Sequence, residues 1–215
     1  MTHALIWHLA TYAEEPNTNG FPSPYQHRLI ALAGLAADLG ETPTVRVWAS
    51  LRNEPVPLLE RLDAELGLVD EMVTLNGRNF GLPVLRCNAL AHSAVLENLS
   101  YLPHLDLADE IIGGFSVLTN VFGLPGRARL DVKVAWEQEE HRAKIAKRLM
   151  CDCTLLALAF GRYRRMTGEL PPDYYDLYEH AVLTAAAEKT SWVKQAFDFD
   201  ILPTAEAGGF RANLK

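Results

Sequence analysis

Thr74-Leu75-Asn76-Gly77-Arg78-Asn79-Phe80-Gly81-Leu82-Pro83-Val84-Leu85-Arg86 is the stretch on which the reading of the fold turns. The apolar run 71–75 leads into it with strand character, Asn76-Gly77 marks a turn, and from Leu82 the apolar spacing is helical. A strand end running into a helix is a place where open α/β sheets bind ligands.

Working outward from it, 4–10 (ALIWHLA) and 29–35 are short apolar runs that read as buried strands, separated by the loop-rich 14–26. Val45, Val47 and Ala49 alternate with Arg46 and Trp48, which gives a third strand with a partly exposed face, bracketed by Pro43 and Pro55. Leu58, Leu59, Leu62 and Leu66 recur at helical spacing up to Gly67. Beyond the central stretch the chain turns helical: 82–96, 107–112 and 116–122 are short candidates, 136–167 is one long amphipathic helix or two in sequence, and 174–194 is the last. Strands first and helices after, with one helix between the third and fourth strands, indicate a single α/β domain over 1–196 on a mixed sheet. The Gly- and Ala-rich 197–215 is expected to be a poorly ordered tail.

Composition narrows the function. The 215 residues carry 20 Lys plus Arg against 27 Asp plus Glu, a formal net charge of -7, which counts against a broad phosphate-gripping surface. No apolar run approaches the ~20 residues of a membrane span. The N-terminus shows neither a basic leader nor a cleavage site, so a cytoplasmic location is expected, with no membrane partner. Three cysteines fit reduced thiols better than a disulfide framework.

The stretch 74–86 resembles the second motif of the predicted 3′–5′ exonucleases related to the proofreading domain of family B DNA polymerases. That family reads roughly T-F-N-G-R-x-F-D-L-P-V-L here. Further agreement follows in order: FPSPYQHRLIAL at 21–32, HLDL at 104–107, FGLPGR at 122–127 and MTGEL at 166–170. The resemblance extends over about residues 5–180 and implies a ribonuclease H-like fold, a mixed central sheet flanked by helices with a helix-rich C-terminal half. It also implies two-metal hydrolysis of a nucleic-acid 3′ end. Two Mg²⁺ or Mn²⁺ ions about 3.5–4 Å apart stabilise attacking and leaving oxygens, and such hard cations take carboxylate oxygen.

The family supplies four carboxylates and a tyrosine (the DEDDy set). Its first-strand Asp and Glu fall on His8 and Ala10, the Asp of its second motif on Gly81, and its late-helix Tyr and Asp on Met150 and Thr154. A register shifted by two puts Asp152 at the last position; Cys151 and Gly168 fit the unshifted register better. Read so, all four acids are absent and no catalytic residue or metal ligand remains. Four clustered carboxylates repel one another without metal, so neutral replacements suit a site that no longer binds it.

Other residues carry competing readings. His8, His104, Asp106 and Asp152 compose an alternative transition-metal site for an active exonuclease, against a plain hydrogen-bonded histidine at position 8. Asp106 also suits the N-cap of the following helix. Asn76 and Arg78 suit a phosphate at a helix start, or Asn76 simply holds the turn; Phe80 belongs to the same candidate cleft. Arg127, Arg129 and Lys133, with Arg142, Lys144, Lys147 and Arg148, form the basic concentration, read as a solvated face or as a contact for a strand. Cys151 and Cys153 point to different helix faces and read as inert thiols. Tyr163, Tyr174, Tyr175 and Tyr178 read as core or interface. The expectation is a catalytically degenerate exonuclease-fold protein in DNA metabolism that binds a nucleic-acid end or a protein partner, with no cofactor. The alternatives are an active exonuclease with an atypical metal site, and a scaffold with no nucleic-acid contact.

Overall fold

In the computed structural model, which describes residues 2–13, 23–111, 114–122 and 130–191, the first apolar run becomes the middle of a five-stranded sheet. Strand β1 (His3–Tyr12) pairs antiparallel with β2 (Arg28–Asp38) and parallel with β4 (Glu71–Thr74). Beyond β2 lies β3 (Thr44–Leu51), antiparallel, and beyond β4 lies β5 (His104–Asp106), parallel, so the order is β3-β2-β1-β4-β5. A central strand is covered on both faces, which is why β1 and β2 are nearly uninterrupted apolar sequence.

Period-two alternation sorts these strands into two cores. Leu5, Trp7 and Leu9 of β1, with Leu32 and Trp48, face α1 (Val56–Leu66) and α2 (Leu82–His92). Ala4, Ile6 and Ala10, with Ala31, Ala33 and Val47, face the other layer. That layer consists of α3 (Leu107–Glu110), α4 (Phe115–Val121), α5 (Val132–Glu137), α6 (Arg142–Met166) and α7 (Pro172–Lys189). Small residues on β2 let α6 lie close, with the Cys153 thiol donating to the Ala33 carbonyl at 3.3 Å. A Cβ at Gly161 would stand 2.6 Å from the Tyr178 ring, so glycine is what lets α6 and α7 approach.

Several expectations are corrected. Trp48 is buried, because Arg61 of α1 lies over its ring at 4.4 Å; the exposed face of β3 is therefore confined to Thr44 and Arg46. The candidate helix 82–96 stops at His92, where Ser93 takes a left-handed conformation with φ of 53°. The segment 136–167 is broken before Arg142, and α5 begins earlier, at Val132, capped by Asp131. The HLDL run is a strand that leads into a helix. The expectation of a loose tail over 197–215 lies outside the described residues, as does most of FGLPGR with Arg127 and Arg129. Among the described residues no helix is long and apolar enough to cross a membrane.

Candidate functional site

The stretch 74–86 is shaped by what its residues cannot hold in any other conformation. Asn76 sits at φ 60°, a left-handed position that asparagine tolerates better than most residues. A Cβ at Gly77 would stand 2.2 Å from Thr74 Oγ1, so only glycine lets the chain fold back there. From Gly77 to Gly81 the backbone makes a wide π-helical turn that feeds α2, the kind of local widening that recurs at functional sites.

One carboxylate holds this turn. Asp106, 1% exposed, accepts the backbone N–H of Asn76 at 2.6 Å, of Arg78 at 2.8 Å and of Ala108 at 3.2 Å. It caps α3 and fastens β5 to the β4–α2 turn at the same time. The Arg78 guanidinium donates to Asp109 at 2.7 Å and to the His104 carbonyl at 2.9 Å. His104 Nε2 is hydrogen bonded to Thr74 Oγ1 at 2.7 Å, and burial holds its imidazole below the ordinary value. Thus Asn76, Arg78, His104 and Asp106 are brought together, but as a brace of which only Asn76 lines the cleft. The helix-start N–H groups suited to a phosphate are aimed at Asp106 instead.

The cleft itself, about 500 Å³, opens beyond the end of β4, against Trp7, His8 and Leu9 in the middle of β1. Trp7, Phe80 and Phe115 give it an aromatic lining, and His8, Asn76, Gly81 and Asp152 complete the wall. Phe80 is steadied from behind: its ring meets His27 edge-on at 5.0 Å, and His27 Nδ1 is bonded to Thr11 Oγ1 at 2.7 Å. Asn88 ties α2 to the same corner, accepting the Leu29 N–H at 3.0 Å and donating to the His27 carbonyl at 2.8 Å. Those bonds give 27–32 of the FPSPYQHRLIAL run a structural task.

The resemblance implies acids at four positions, held here by His8, Ala10, Gly81 and, on α6, Thr154 or Asp152. His8 reaches toward α6, its ring edge-on to Phe115 at 4.9 Å. The α6 side chain it meets is Asp152, with Nε2 and Oδ2 3.8 Å apart. Thr154, which the unshifted register places there, is fully buried and donates its hydroxyl back to the Met150 carbonyl at 2.8 Å. The register shifted by two is therefore the one whose side chain faces the cleft. In that register Arg148 stands four residues earlier, where the family has its tyrosine, and its Nε donates to both oxygens of Asp152 at 3.1 and 3.3 Å. Burial lowers the pKa of this guanidinium from its ordinary value. Ala10 is buried beside a smaller cavity of about 300 Å³ that shares His8 and Asp152 with the cleft and is also lined by Arg148. At Gly81 a Cβ would come within 3.1 Å of Trp7, whose indole fills the space beside this residue.

These residues do not fit a pair of Mg²⁺-type ions. Such ions need several carboxylate oxygens; among the described residues the cleft offers one carboxylate, and it is already bonded to an arginine. Among the described residues no three His, Cys, Asp or Glu side chains converge to hold a metal. The alternative set of His8, His104, Asp106 and Asp152 is not assembled, because His104 and Asp106 are spent on the brace.

No protein-family model matches the sequence, and no curated protein is similar to it. Among solved structures the chain is similar to the family B DNA polymerase from the hyperthermophilic archaeon Pyrobaculum calidifontis, with a TM-score of 0.62 at 14% sequence identity. The fold is ribonuclease H-like. The likeness covers 89% of this chain and 29% of the polymerase chain. It establishes the α/β architecture expected from 74–86: a mixed five-stranded sheet between helical layers.

Of the remaining candidates, Tyr178 and Tyr175 are core; the Tyr178 hydroxyl donates to the Ala157 carbonyl at 3.0 Å, and burial pushes Tyr175 up to about 12. Lys144 and Lys147 are exposed, while the Arg142 guanidinium lies over Trp136 at 4.6 Å. Trp7, His27, Asn88 and Phe115 were not singled out from sequence. Trp7 is the period-two neighbour of Leu5 and Leu9, and that spacing speaks only of a core strand.

Proposed function

We propose that this chain is an exonuclease-fold protein that has given up two-metal hydrolysis and binds a nucleic-acid 3′ end. One observation carries the reading: the cleft between mid-β1 and the end of β4 has about 500 Å³ and an aromatic lining, while the positions where the resemblance implies acids hold His8, Ala10, Gly81 and an Asp152 bonded to Arg148. Aromatic faces accept any base by stacking, at about 1–3 kcal/mol per base. A cleft freed of clustered negative charge no longer repels phosphate. The fold shared with part of a family B DNA polymerase supports a role in DNA metabolism.

The test is incubation of the protein with a 3′-labelled single strand in Mg²⁺ or Mn²⁺. No shortening is expected, and anisotropy should report binding that weakens with salt and on Phe115→Ala. Metal-dependent shortening abolished by His8→Ala overturns the loss of hydrolysis. Failure to bind even at low salt overturns strand binding and leaves a protein partner as the occupant of the cleft.

A further inference from the structure

The outer edge of β3 is a feature that the cleft does not use. Among the described residues no strand pairs with it. The ladder with β2 fixes which backbone groups point outward. Arg52 N–H donates to the Ile30 carbonyl at 3.1 Å, and the register pairs Ser50 with Leu32, Trp48 with Gly34 and Arg46 with Ala36. In an antiparallel pair the bonded positions alternate, so the N–H and C=O groups of Val45, Val47 and Ala49 face the open edge. An open edge of this kind is a template for another strand.

This edge forms the floor of a groove of about 650 Å³ between the two helical layers. The rims differ in chemistry. On the α6–α7 side stand Ala146, Met150 and Ala185, with Glu188 and Lys189 at the end of α7; on the α1 side stand Arg46 and Arg61, so the basic charge lies mainly on the α1 side. Arg46 is held by Glu65, and Arg61 lies over Trp48. An added strand fits such a groove when alternate side chains are apolar and acidic, since successive residues point to opposite faces.

We propose that the groove binds the chain's own segment 196–202 as an added strand. That segment reads Ala196-Phe197-Asp198-Phe199-Asp200-Ile201-Leu202, and it lies outside the described residues; its sequence and its place in the chain are what assign it. Phe197, Phe199 and Ile201 match the apolar rim, and Asp198 and Asp200 match Arg46 and Arg61. Lys189, at the end of α7, lines the same groove. Thr190 is buried with its N–H on the Ala186 carbonyl, so the free linker is the five residues 192–196, which span up to about 17 Å when extended from the α7 end that already lines the groove. Tethering makes the contact intramolecular and raises its effective concentration to the millimolar range.

Amide hydrogen exchange on the full chain tests this, read against full-length Phe197→Asp/Phe199→Asp/Ile201→Asp. The outward N–H groups of Val45, Val47 and Ala49 should exchange about tenfold or more slower in the native sequence, as expected for a closed backbone bond. The inward amides of β1 and β2 should be equal in both proteins, which also certifies that the variant folds. A peptide of residues 195–203 at millimolar concentration should restore the slow exchange. Equal exchange of the outward amides in the two proteins, or no restoration by the peptide, overturns the proposal. Slow exchange that depends on protein concentration overturns it in favour of a second copy pairing edge to edge.

Discussion

Replacing Asp106 by alanine separates a brace from a ligand. The carboxylate is 1% exposed and accepts three backbone N–H bonds, at 2.6, 2.8 and 3.2 Å. A hydrogen bond to a charged group contributes about 1.5–3 kcal/mol, and a buried donor left unsatisfied costs a similar amount. Some relief follows as the Asn76 turn relaxes into the cleft and admits water. Asp106→Ala should therefore cost about 3–5 kcal/mol, near 10 °C in midpoint for a domain of this size. Asp106→Asn keeps one acceptor oxygen but turns an amide N–H toward another donor, and should cost about half as much. Urea unfolding followed by tryptophan fluorescence measures both, with an unchanged slope if two-state behaviour holds. A cost under about 1 kcal/mol for the alanine variant, together with lost strand binding, would refute the brace and make Asp106 a contact of the ligand.

Three further outcomes are expected. Gly81→Ala puts a Cβ 3.1 Å from the Trp7 ring and should destabilise by about 1–3 kcal/mol, relieved when Trp7 is shortened to Leu; additive effects in that double-mutant cycle would sink the packing argument. Burial lowers the His104 pKa from 6.5, so the unfolded chain takes up this proton more readily. The resulting contribution to stability is present above pH 6.5 and is lost as pH falls from there through the depressed folded value; His104→Gln should flatten that limb, and an unchanged pH profile would remove His104 as its cause. Of the three thiols, Cys153 is fully buried with its pKa pushed up, Cys151 is buried and Cys87 half-buried. A thiol reagent should therefore modify Cys87 alone in the native state, and fast reaction at three sites would contradict the packing of α6.

Much of the sheet is legible in the sequence because its strands are long enough to show their periods. β1 and β2 stand out as apolar runs, β3 by alternation and α1 by its leucines. β5 does not, since three residues, His104–Asp106, carry no period; only the family pattern marked them. The candidate site was legible at its brace, where Asn76, Gly77 and Arg78 must serve one backbone shape. On α6 the favoured register puts Thr154 at the last acidic position while Asp152 is the side chain that lines the cleft, and the reason for the difference is physical. Every residue from Cys151 to Gly161 is buried, so the hydrophobic pattern gives no phase, and nothing in the sequence says whether Asp152 or Thr154 faces His8. The cleft's aromatic lining was hidden for a related reason: Trp7 and Phe115 belong to segments whose apolar character is already explained by the core.

The contact between Gly81 and Trp7 bears on how such a chain can change over generations. An acid placed at position 81 must first displace an indole that is 2% exposed and packed among leucines. Such a change costs stability at its first step, and proteins live close to the stability below which they are lost. One glycine beside one tryptophan thus acts as a barrier: the packed indole opposes any larger side chain at position 81, charged or not.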